Sequence, residues 1–414
     1  MSQHIERLLT SKRVLLLQGP MGDFFQRFAN WLTDKNIECY KINFNAGDRY
    51  FYRSMKNVFD YKGQPNIFSE WLKDFVVKHK IDAMVCFGDC REYHQQAKSV
   101  ARYFEIKFFA FEEGYIRPNY ITFEQDGVNF FSHFLIHFQQ QNQKSNHVKL
   151  NSTLYDVQHD HKKLFRSIFI YYLVWVIFAF QYPYYRHHRG IRPVKELYYY
   201  LLSGLRLLKN KYMEPKSFDN FIKNYSKKYF VFALQVHNDF QIREHSDLKE
   251  VEQYIELVLK NFSQYADYTT HLVLKHHPMD RGYRNYKKLI VNRAKELNIE
   301  GRIHYFCDIH LPTLLKHSLG LVTVNSTTGI QSLFHKIPVA VLGRAIYNLP
   351  KLTYQYPLSN FWINPGIVDY EYFQFFKKEL ILYSQLNGSY YGVSPWKNVY
   401  ILEKTEPRVE RELI

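Results

Sequence analysis

The chain has 414 residues, of which 55 are Lys or Arg and 39 are Asp or Glu, so its formal net charge is +16. This length accommodates two or three domains with hydrophobic cores of their own and excludes a small scaffold held together by disulfides. Four cysteines are present, and the spacing of the closest pair, Cys86 and Cys90, fits neither a redox motif nor a zinc site. We therefore expect free thiols in a reducing compartment.

The basic charge favours anionic partners, which include nucleotide phosphates, nucleic acid and acidic lipid headgroups. The 35 Tyr and 34 Phe residues interleave with basic residues, and such a surface can stack bases. The sequence contains no established nucleic-acid-binding motif, so nucleic acid is not the expected partner. Residues 1–7 do not have the pattern of a secretory signal, which favours a cytoplasmic location.

Short apolar segments alternate with amphipathic ones through the first 111 residues. Strands are predicted over 13–17, 37–43, 83–87 and 107–111, and helices over 24–32, 68–77 and 92–104. This order is typical of a parallel, doubly wound sheet and predicts a Rossmann-like lobe over 1–135. Gly19, Asp89 and Glu112 each follow the carboxyl end of a predicted strand, so we expect them to line one crevice.

The pattern changes over 136–225, where aromatic and basic residues dominate. The apolar run at 168–180 has basic flanks and is too short to cross about 30 Å of hydrocarbon, even when it is extended to 164–182. We predict two helices that lie at the membrane surface, with the aromatic face among the headgroups and the basic rim on anionic lipid. A helix buried between two lobes and a membrane-spanning helix are the alternatives. The second surface helix would carry 197–202, Arg206, Lys209 and Lys211.

A second alternating block occupies 226–366. Strands are predicted over 229–235, 271–275, 303–306, 321–324 and 339–342, and helices over 248–262, 285–297, 311–317 and 329–336. The block therefore predicts a second Rossmann-like lobe. The tail, 367–414, is rich in Phe, Tyr and Leu and is expected to form closing helices that return toward the first lobe.

A pair of carboxylates, Glu112 and Glu113, precedes Gly114, a residue that permits a tight turn. Burial and a neighbouring charge can raise the pKa of one carboxyl of such a pair and suit it to proton transfer. Arg117 could neutralise the other carboxylate or a carboxylate of the substrate. A Glu-Glu-Gly sequence by itself is more often an ion-paired loop.

Asp89 and Arg91 follow the third strand and are candidates for contacts to an acceptor or a sugar. Asp89 is equally a candidate N-cap of the following helix.

The second block carries groups suited to an anionic ligand. His277 follows an apolar strand, Pro278 fixes the turn and Lys275 lies beside it, so the imidazole can bind a phosphate or a ribose. A His-Pro step alone is usually structural.

A polar segment at 325–329 lies between a predicted strand and helix. The side chains of Asn325, Ser326, Thr327 and Thr328, together with free backbone N–H groups, can bind a phosphate or simply cap the helix.

Gln235 and Asp239 follow the first strand of the second block. Asp239 could act as a nucleophile or stabilise an oxocarbenium-like centre, and it could also cap the next helix.

Several of these segments together resemble the capsular polysaccharide biosynthesis and export proteins of the KpsS or LipB type. The resemblance covers most of 13–350 and is carried by segments 18–20, 41–48, 89–94, 112–118 and 235–239. It implies a GT-B-like enzyme, with two Rossmann-like lobes, an active-site cleft between them and a helical basic and aromatic insert.

The resemblance also implies an activity. Such an enzyme would be a retaining β-Kdo glycosyltransferase, Kdo being a keto-deoxyoctulosonic acid, that uses CMP-β-Kdo as its donor substrate. The acceptor would be a phosphatidylglycerol-type lipid at the cytoplasmic face of a Gram-negative inner membrane, and the product would start the poly-Kdo linker of the capsule. No cofactor or metal is expected. Besides the donor, the anionic lipid and the membrane surface, other capsule biosynthesis or export proteins are candidate partners.

Site roles follow from the same resemblance and from a likeness of the Glu-Glu-Gly and His-Pro segments to bacterial sialyltransferases. His277 and Pro278 would contact CMP, and Ser326 and Thr327 its phosphate. Asp239 would be the nucleophile. Glu113 or Glu112 would act as acid or base toward the acceptor hydroxyl. The alternatives are a CMP-sialic acid transferase and a non-enzymatic lipid- or polysaccharide-binding component of capsule export.

Overall fold

A computed structural model of the chain describes residues 2–52, 56–144, 157, 160–187, 193–237 and 246–396. The chain divides into two compact units. Unit 1 comprises Met1–Leu197 and Lys377–Ile414, and unit 2 comprises Tyr198–Phe376.

The described strands, numbered in chain order, are β1 (Arg13–Leu16), β2 (Glu38–Asn43), β3 (Val58–Asp60), β4 (Ala83–Phe87), β5 (Lys107–Glu113), β6 (Tyr120–Gln125), β7 (Tyr229–Ala233), β8 (His271–Lys275), β9 (Ile303–Phe306), β10 (Gly320–Thr323), β11 (Val339–Val341) and β12 (Gln385–Asn387). The described α-helices are α1 (Gln3–Leu9), α2 (Phe24–Thr33), α3 (Ala46–Phe51), α4 (Phe68–His79), α5 (Glu92–Tyr103), α6 (Phe134–Lys144), α7 (His161–Ile177), α8 (Pro193–Tyr225), α9 (Val251–Tyr265), α10 (Lys287–Glu296), α11 (Leu311–Lys316), α12 (Thr328–Phe334), α13 (Leu358–Phe361) and α14 (Tyr370–Ser384).

Unit 1 contains a seven-stranded sheet in the order β12-β6-β5-β4-β1-β2-β3. Strands β1 to β5 are parallel, whereas β6 and β12 add antiparallel strands at one edge. Val14, Leu15 and Leu16 are fully buried because helices cover both faces of a parallel sheet. Aromatic side chains fill much of one face: the Phe28 ring contacts those of Phe111 and Trp396.

Unit 2 contains a five-stranded parallel sheet in the order β11-β10-β7-β8-β9. Its central strand, β7, is buried along its whole length, as a continuous apolar run predicts for a strand covered on both faces. Helix α9 buries its apolar side, including Ile255, Leu259 and Phe262, in the core of this unit.

The two predicted Rossmann-like units are confirmed, and each strand and helix predicted over 13–111 and 229–342 is present with small shifts of its ends. The prediction missed α1, α3, β3, α6 and α13, and the strands β6 and β12. The predicted return of the tail to the first lobe is confirmed, because β12 pairs with β6. Within its described part, 367–396, the tail forms the helix α14 and also the edge strand β12, which the prediction of closing helices did not include.

Among the described residues of 161–225, the basic and aromatic segment forms the two predicted helices, α7 and α8. Their position at a membrane surface remains a prediction. Helix α7 buries Tyr171, Tyr172 and Trp175, which form a small cluster with Phe51 and Tyr185. Among the described residues, no helix combines the length and apolarity that crossing a membrane requires.

Candidate active site

The carboxyl ends of β1 and β4 form the topological switch point of unit 1. The chain continues from β1 to β2 on one side, whereas β4 lies on the other side of β1, so the loops after these two strands diverge and leave a crevice. Gln18 follows β1 and Arg91 follows β4, and Arg91 Nη1 donates a hydrogen bond to Gln18 Oε1 at 2.8 Å. This pair joins the loops that contain Gly19 and Asp89, two of the three residues that the sequence predicted to line one crevice.

Gln18 also belongs to a buried polar network that the sequence analysis missed. Its Nε2 lies 3.1 Å from Asp48 Oδ2, 3.2 Å from Tyr171 Oη and 3.0 Å from Tyr185 Oη. Tyr171 Oη donates to Asp48 Oδ1 at 3.0 Å and accepts from Asn45 Nδ2 at 2.7 Å. Asn45 and Asp48 lie in a segment quoted for the family resemblance, but no sequence pattern indicated that Tyr171 of the insert would reach them.

The two glutamates lie on a strand that continues beyond its predicted end at 111, and not in the tight turn that Gly114 was expected to permit for them. Glu112 and Glu113 are the last two residues of β5 and pair with Thr122 and Ile121 of β6. Because successive side chains of a strand point to opposite faces, Glu112 is partly buried whereas Glu113 is exposed. Burial is the main cause that raises the pKa of Glu112 to about 7, and the nearby charges of Glu113 and Asp89 add to the rise.

Glu112 faces the switch point. A Cβ atom placed on Gly88 would lie 3.7 Å from Glu112 Oε2 and 3.6 Å from Arg91 Nε, so both side chains approach the same glycine. Gly88 has a φ of +73°, a backbone conformation that favours glycine. The loop after β4 therefore brings the guanidinium of Arg91, which is bonded to Gln18, close to the carboxyl group of Glu112.

Gly114 is required by a close contact. A Cβ atom there would lie 2.0 Å from the carbonyl oxygen of Tyr120, so a side chain would push β5 and β6 apart. Arg117 is exposed, and its Nε donates to the Gly114 carbonyl at 3.2 Å.

Asp89 is buried and bound within the protein. Its Oδ2 accepts from the backbone N–H of Val128 at 3.3 Å and lies 3.6 Å from Lys98 Nζ. The alternative that Asp89 caps α5 is wrong, because Arg91 occupies the cap position. A role for Asp89 in binding an acceptor remains a prediction.

Gly19 and Lys41 line a small pocket beside this network, together with Asp48, Tyr52 and Tyr171. Lys41 is buried, and its Nζ donates to the carbonyl of Ile42 at 2.5 Å. Burial lowers the pKa of Lys41 to about 8, and the carboxylates of Asp48 and Asp60 oppose the fall.

Unit 2 has its switch point between β7 and β10. Gln235 follows β7, and its Nε2 donates to Asn325 Oδ1 at 2.8 Å, while the backbone N–H of Asn325 donates to Gln235 Oε1 at 3.0 Å. The structure thus brings together two of the residues predicted to bind the donor. Ser326 follows directly, and its Oγ accepts from the backbone N–H of Thr328 at 3.2 Å and donates to the Thr328 hydroxyl at 3.0 Å. Thr327 occupies the cap position of α12.

Two predicted donor-binding residues at the end of β8, Lys275 and His277, differ from each other in their burial. Lys275 is buried, and its Nζ donates to the backbone carbonyls of His276, at 3.0 Å, and Cys307. Those bonds tie the end of β8 to the loop after β9. His277 is partly exposed, and its Nδ1 accepts from the backbone N–H of Met279 at 3.2 Å, in the turn that Pro278 begins.

A histidine and a buried aspartate lie beside these residues, and sequence reasoning did not select them. His237 Nδ1 is 2.5 Å from Asp280 Oδ1, and Tyr286 Oη donates to Asp280 Oδ2 at 3.2 Å. Asp280 comes two residues after the His-Pro step, and this proximity is the sequence feature that could have identified it. The predicted nucleophile, Asp239, lies outside the described residues.

Helix α8 presents an apolar stripe to solvent. Six side chains at alternating spacings of four and three residues are 52% to 89% exposed: Val194, Tyr198, Leu201, Leu205, Leu208 and Tyr212. Lys195, Arg206, Lys209 and Lys211 lie among them, and the one acidic residue in 194–213, Glu196, is fully buried. The exposed surface of 194–213 therefore carries apolar and basic side chains and no acidic one.

Two Rossmann-like units, each with polar side chains joined across its switch point, place the protein among the α/β proteins that bind ligands beyond the carboxyl ends of parallel strands.

Comparison with known proteins is more specific. The profile of the family described as capsule polysaccharide biosynthesis protein matches residues 82–391. The capsule polysaccharide modification protein LipB of Neisseria meningitidis serogroup A is 38% identical over 404 residues, which are 95% of each chain. The capsule polysaccharide export protein KpsS of Escherichia coli is 37% identical over 93% of this chain and 98% of its own. The chain belongs to this capsule polysaccharide biosynthesis family.

Two solved structures show lower similarity. KpsC of Thermosulfurimonas dismutans, described as a beta Kdo 2,7 transferase, is 13% identical with a TM-score of 0.43 and coverage of 94% of this chain and 98% of that one. A glycosyltransferase from Rickettsia africae is 8% identical with a TM-score of 0.37, at 95% and 98% coverage.

Proposed function

We propose that the protein is a glycosyltransferase that moves Kdo from CMP-β-Kdo to a phosphatidylglycerol-type lipid, with retention of the anomeric configuration, and so starts a poly-Kdo linker for a capsule. Membership of the capsule polysaccharide biosynthesis family supports the pathway. The identity of the donor and the acceptor follows from the resemblance of the sequence motifs.

The observation that carries the proposal is the environment of the Glu112 carboxyl group. Its carboxyl group lies at the switch point of unit 1 with its pKa raised to about 7, mainly by burial. A group that exchanges its proton near neutral pH is suited to take the proton of an acceptor hydroxyl. Arg91, which reaches the same glycine, supplies a positive charge that can hold an anionic acceptor. Between the two predicted candidates, this environment favours Glu112 over the exposed Glu113.

Unit 2 is the proposed donor side. The bonded pair Gln235 and Asn325 fixes the loop that carries the hydroxyls of Ser326 and Thr327, which we assign to the phosphate of CMP. His277 and Pro278 are assigned to the nucleoside. Lys275 acts on this site by holding the strand ends in place. Asp239 is the proposed nucleophile that forms and then releases the glycosyl intermediate.

Attachment to the cytoplasmic face of the inner membrane is part of the proposal. The exposed stripe of α8 supplies apolar side chains, and the exposed Lys195, Lys209 and Lys211 suit anionic headgroups. A lipid acceptor would then be presented at the surface to which the enzyme binds.

The test is a transfer assay. The purified full-length protein is incubated with CMP-Kdo, generated in situ, and a fluorescent phosphatidylglycerol analogue, and the products are analysed by mass spectrometry. We expect a mass gain of one or more Kdo residues with the wild type. Variants Glu112→Gln and Asp239→Ala should lose the product while keeping the wild-type thermal transition.

Two controls make the assay decisive. CMP-sialic acid is supplied in place of CMP-Kdo, because transfer of sialic acid alone would establish the alternative donor. No transfer from either donor to any lipid, with a folded wild type, would favour a non-enzymatic component of capsule export and overturn the proposal.

A further inference from the structure

His237 and Asp280 form a pair at the carboxyl ends of the neighbouring strands β7 and β8. Their Nδ1 and Oδ1 atoms are 2.5 Å apart, and Asp280 is completely buried. The second oxygen of Asp280 accepts from Tyr286 Oη at 3.2 Å, so the carboxylate is fixed from both sides. The imidazole of His237 is only slightly exposed and lies beside the ring of Tyr283, with 5.4 Å between the ring centroids.

This geometry sets the hydrogen positions on the imidazole. A carboxylate can only accept hydrogen bonds, so Nδ1 of His237 carries a hydrogen and Nε2 is the ring atom left for a ligand. Removing a carboxylate from water costs free energy, and a positive charge beside it offsets part of that cost. An imidazole that is protonated on both nitrogens keeps Nδ1–H on this carboxylate and offers Nε2–H as a second donor.

The position of His237 points to an anionic ligand. It lies two residues after Gln235, whose side chain bonds to Asn325 across the switch point of unit 2, and Ser326 is the next residue in that loop. Ligands of parallel α/β sheets bind at this place. A doubly protonated imidazole beside a loop that bears hydroxyls matches a phosphate group.

We propose that His237, held by Asp280, donates a hydrogen bond through Nε2 to the phosphate of the nucleotide-sugar donor. The inference rests on the proposed function in taking the donor to be a nucleotide sugar. When the bond between the sugar carbon and the phosphate oxygen breaks, its electron pair stays on that oxygen. The phosphate thus gains one negative charge, and the hydrogen bond from the charged imidazole strengthens as the nucleotide leaves. Asp280 is a positioning residue that acts through His237.

The experiment compares a nucleotide with its nucleoside. Calorimetric titrations of the full-length wild type and of His237→Gln with CMP and with cytidine separate the phosphate contact from the base and ribose contacts. A hydrogen bond to a charged group corresponds to an affinity change of about 10- to 100-fold. We expect His237→Gln to lose that factor for CMP and to keep its affinity for cytidine. Asp280→Asn should show the same pattern with a smaller loss.

A matched control is His271→Gln. His271 is the first residue of β8, so it lies at the amino ends of the strands, away from the carboxyl ends where His237 lies. Its Nδ1 is 3.1 Å from His304 Nε2. This variant should bind CMP as the wild type does. Circular dichroism melts of all variants show whether each is folded.

The outcomes separate this inference from the proposed donor. Unchanged CMP affinity in a folded His237→Gln, or an equal loss for CMP and cytidine, overturns the role of His237 and leaves the donor untouched. A wild type that binds UMP and not CMP overturns the cytidine donor, and the same comparison with UMP and uridine then decides the role of His237. A wild type that binds neither nucleotide overturns both.

Discussion

At the scale of single residues, burial decides which carboxyl groups can exchange protons near neutral pH. Two neighbouring glutamates, 112 and 113, are alike in the sequence, but their strand sends one toward the interior and the other to solvent. Desolvation raises the pKa of the partly buried Glu112 to about 7.

We predict that Glu112→Gln lowers the rate of glycosyl transfer by about 10²- to 10⁴-fold, the usual contribution of a general base. In the wild type, kcat/KM should rise as pH increases through about 7, because the group must lose its proton before it can act, and this dependence should disappear from the residual activity of the variant. Glu113→Gln is the matched variant and should keep most of the activity. An equal loss in both variants would contradict the assignment of the base to Glu112.

Glu124 offers a test of burial alone. It is fully buried in β6, bonded to the hydroxyl of Ser132, and burial raises its pKa to about 8. A carboxyl whose pKa is raised by folding stabilises the folded state while it is protonated in both states, and this contribution is lost as pH rises from about 4.5 to about 8. Urea unfolding at pH 5 and pH 8 should therefore show a wild type that weakens with pH relative to Glu124→Gln. A constant difference between the two proteins would refute the shift.

At the scale of elements, each unit places a glutamine two residues after its first parallel strand and uses it to join the switch point. Gln18 bonds to Arg91 in unit 1, and Gln235 bonds to Asn325 in unit 2. The amide can donate and accept at once, so a single side chain fixes two diverging loops.

We expect Gln235→Leu to lower the free energy of unfolding by about 1–3 kcal/mol, because two hydrogen bonds to Asn325 are lost in a buried site. Binding of CMP should weaken in the same variant. Gln264→Leu, at an exposed position in α9 of the same unit, should leave both quantities unchanged. Denaturant titration and calorimetry measure them, and a Gln235→Leu variant as stable as the wild type would show that the bonds contribute little.

Helix α8 is the element with the clearest exposed apolar surface. The double variant Leu205→Glu, Leu208→Glu should reduce binding to vesicles that contain phosphatidylglycerol. Two apolar side chains that would enter the lipid are lost, and two negative charges face it instead. Ile367→Glu is the control, since Ile367 is 98% exposed elsewhere in unit 2. Co-sedimentation with vesicles measures the effect, and equal binding by the double variant and the control would exclude α8 as the contact.

At the scale of the whole molecule, the net charge of +16 should govern association with anionic surfaces. The Debye length falls from about 30 Å at 0.01 M salt to about 10 Å at 0.1 M, so long-range attraction is screened as salt is added. We predict that binding to phosphatidylglycerol vesicles weakens steeply over this range. Neutral phosphatidylcholine vesicles should show weak, salt-independent binding. Salt-insensitive binding to both would assign the interaction to apolar contacts alone.

The sequence by itself determined the class of fold and the family. Apolar strands such as 13–16 and 229–233 must be buried on both faces, and their alternation with amphipathic helices leaves a parallel sheet as the architecture that does so. The carboxyl ends of parallel strands then gather the polar segments at one end of the sheet, which is why the sequence could place Arg91, Glu112, Gln235 and Asn325 at strand ends. The tertiary structure alone decided the partners of these residues. The contact of Tyr171 with Asp48 spans 123 positions and that of His237 with Asp280 spans 43, and no local periodicity encodes such distances. It also decided which of two adjacent glutamates is buried, because the added antiparallel strand β6 turns that segment from a loop into a strand.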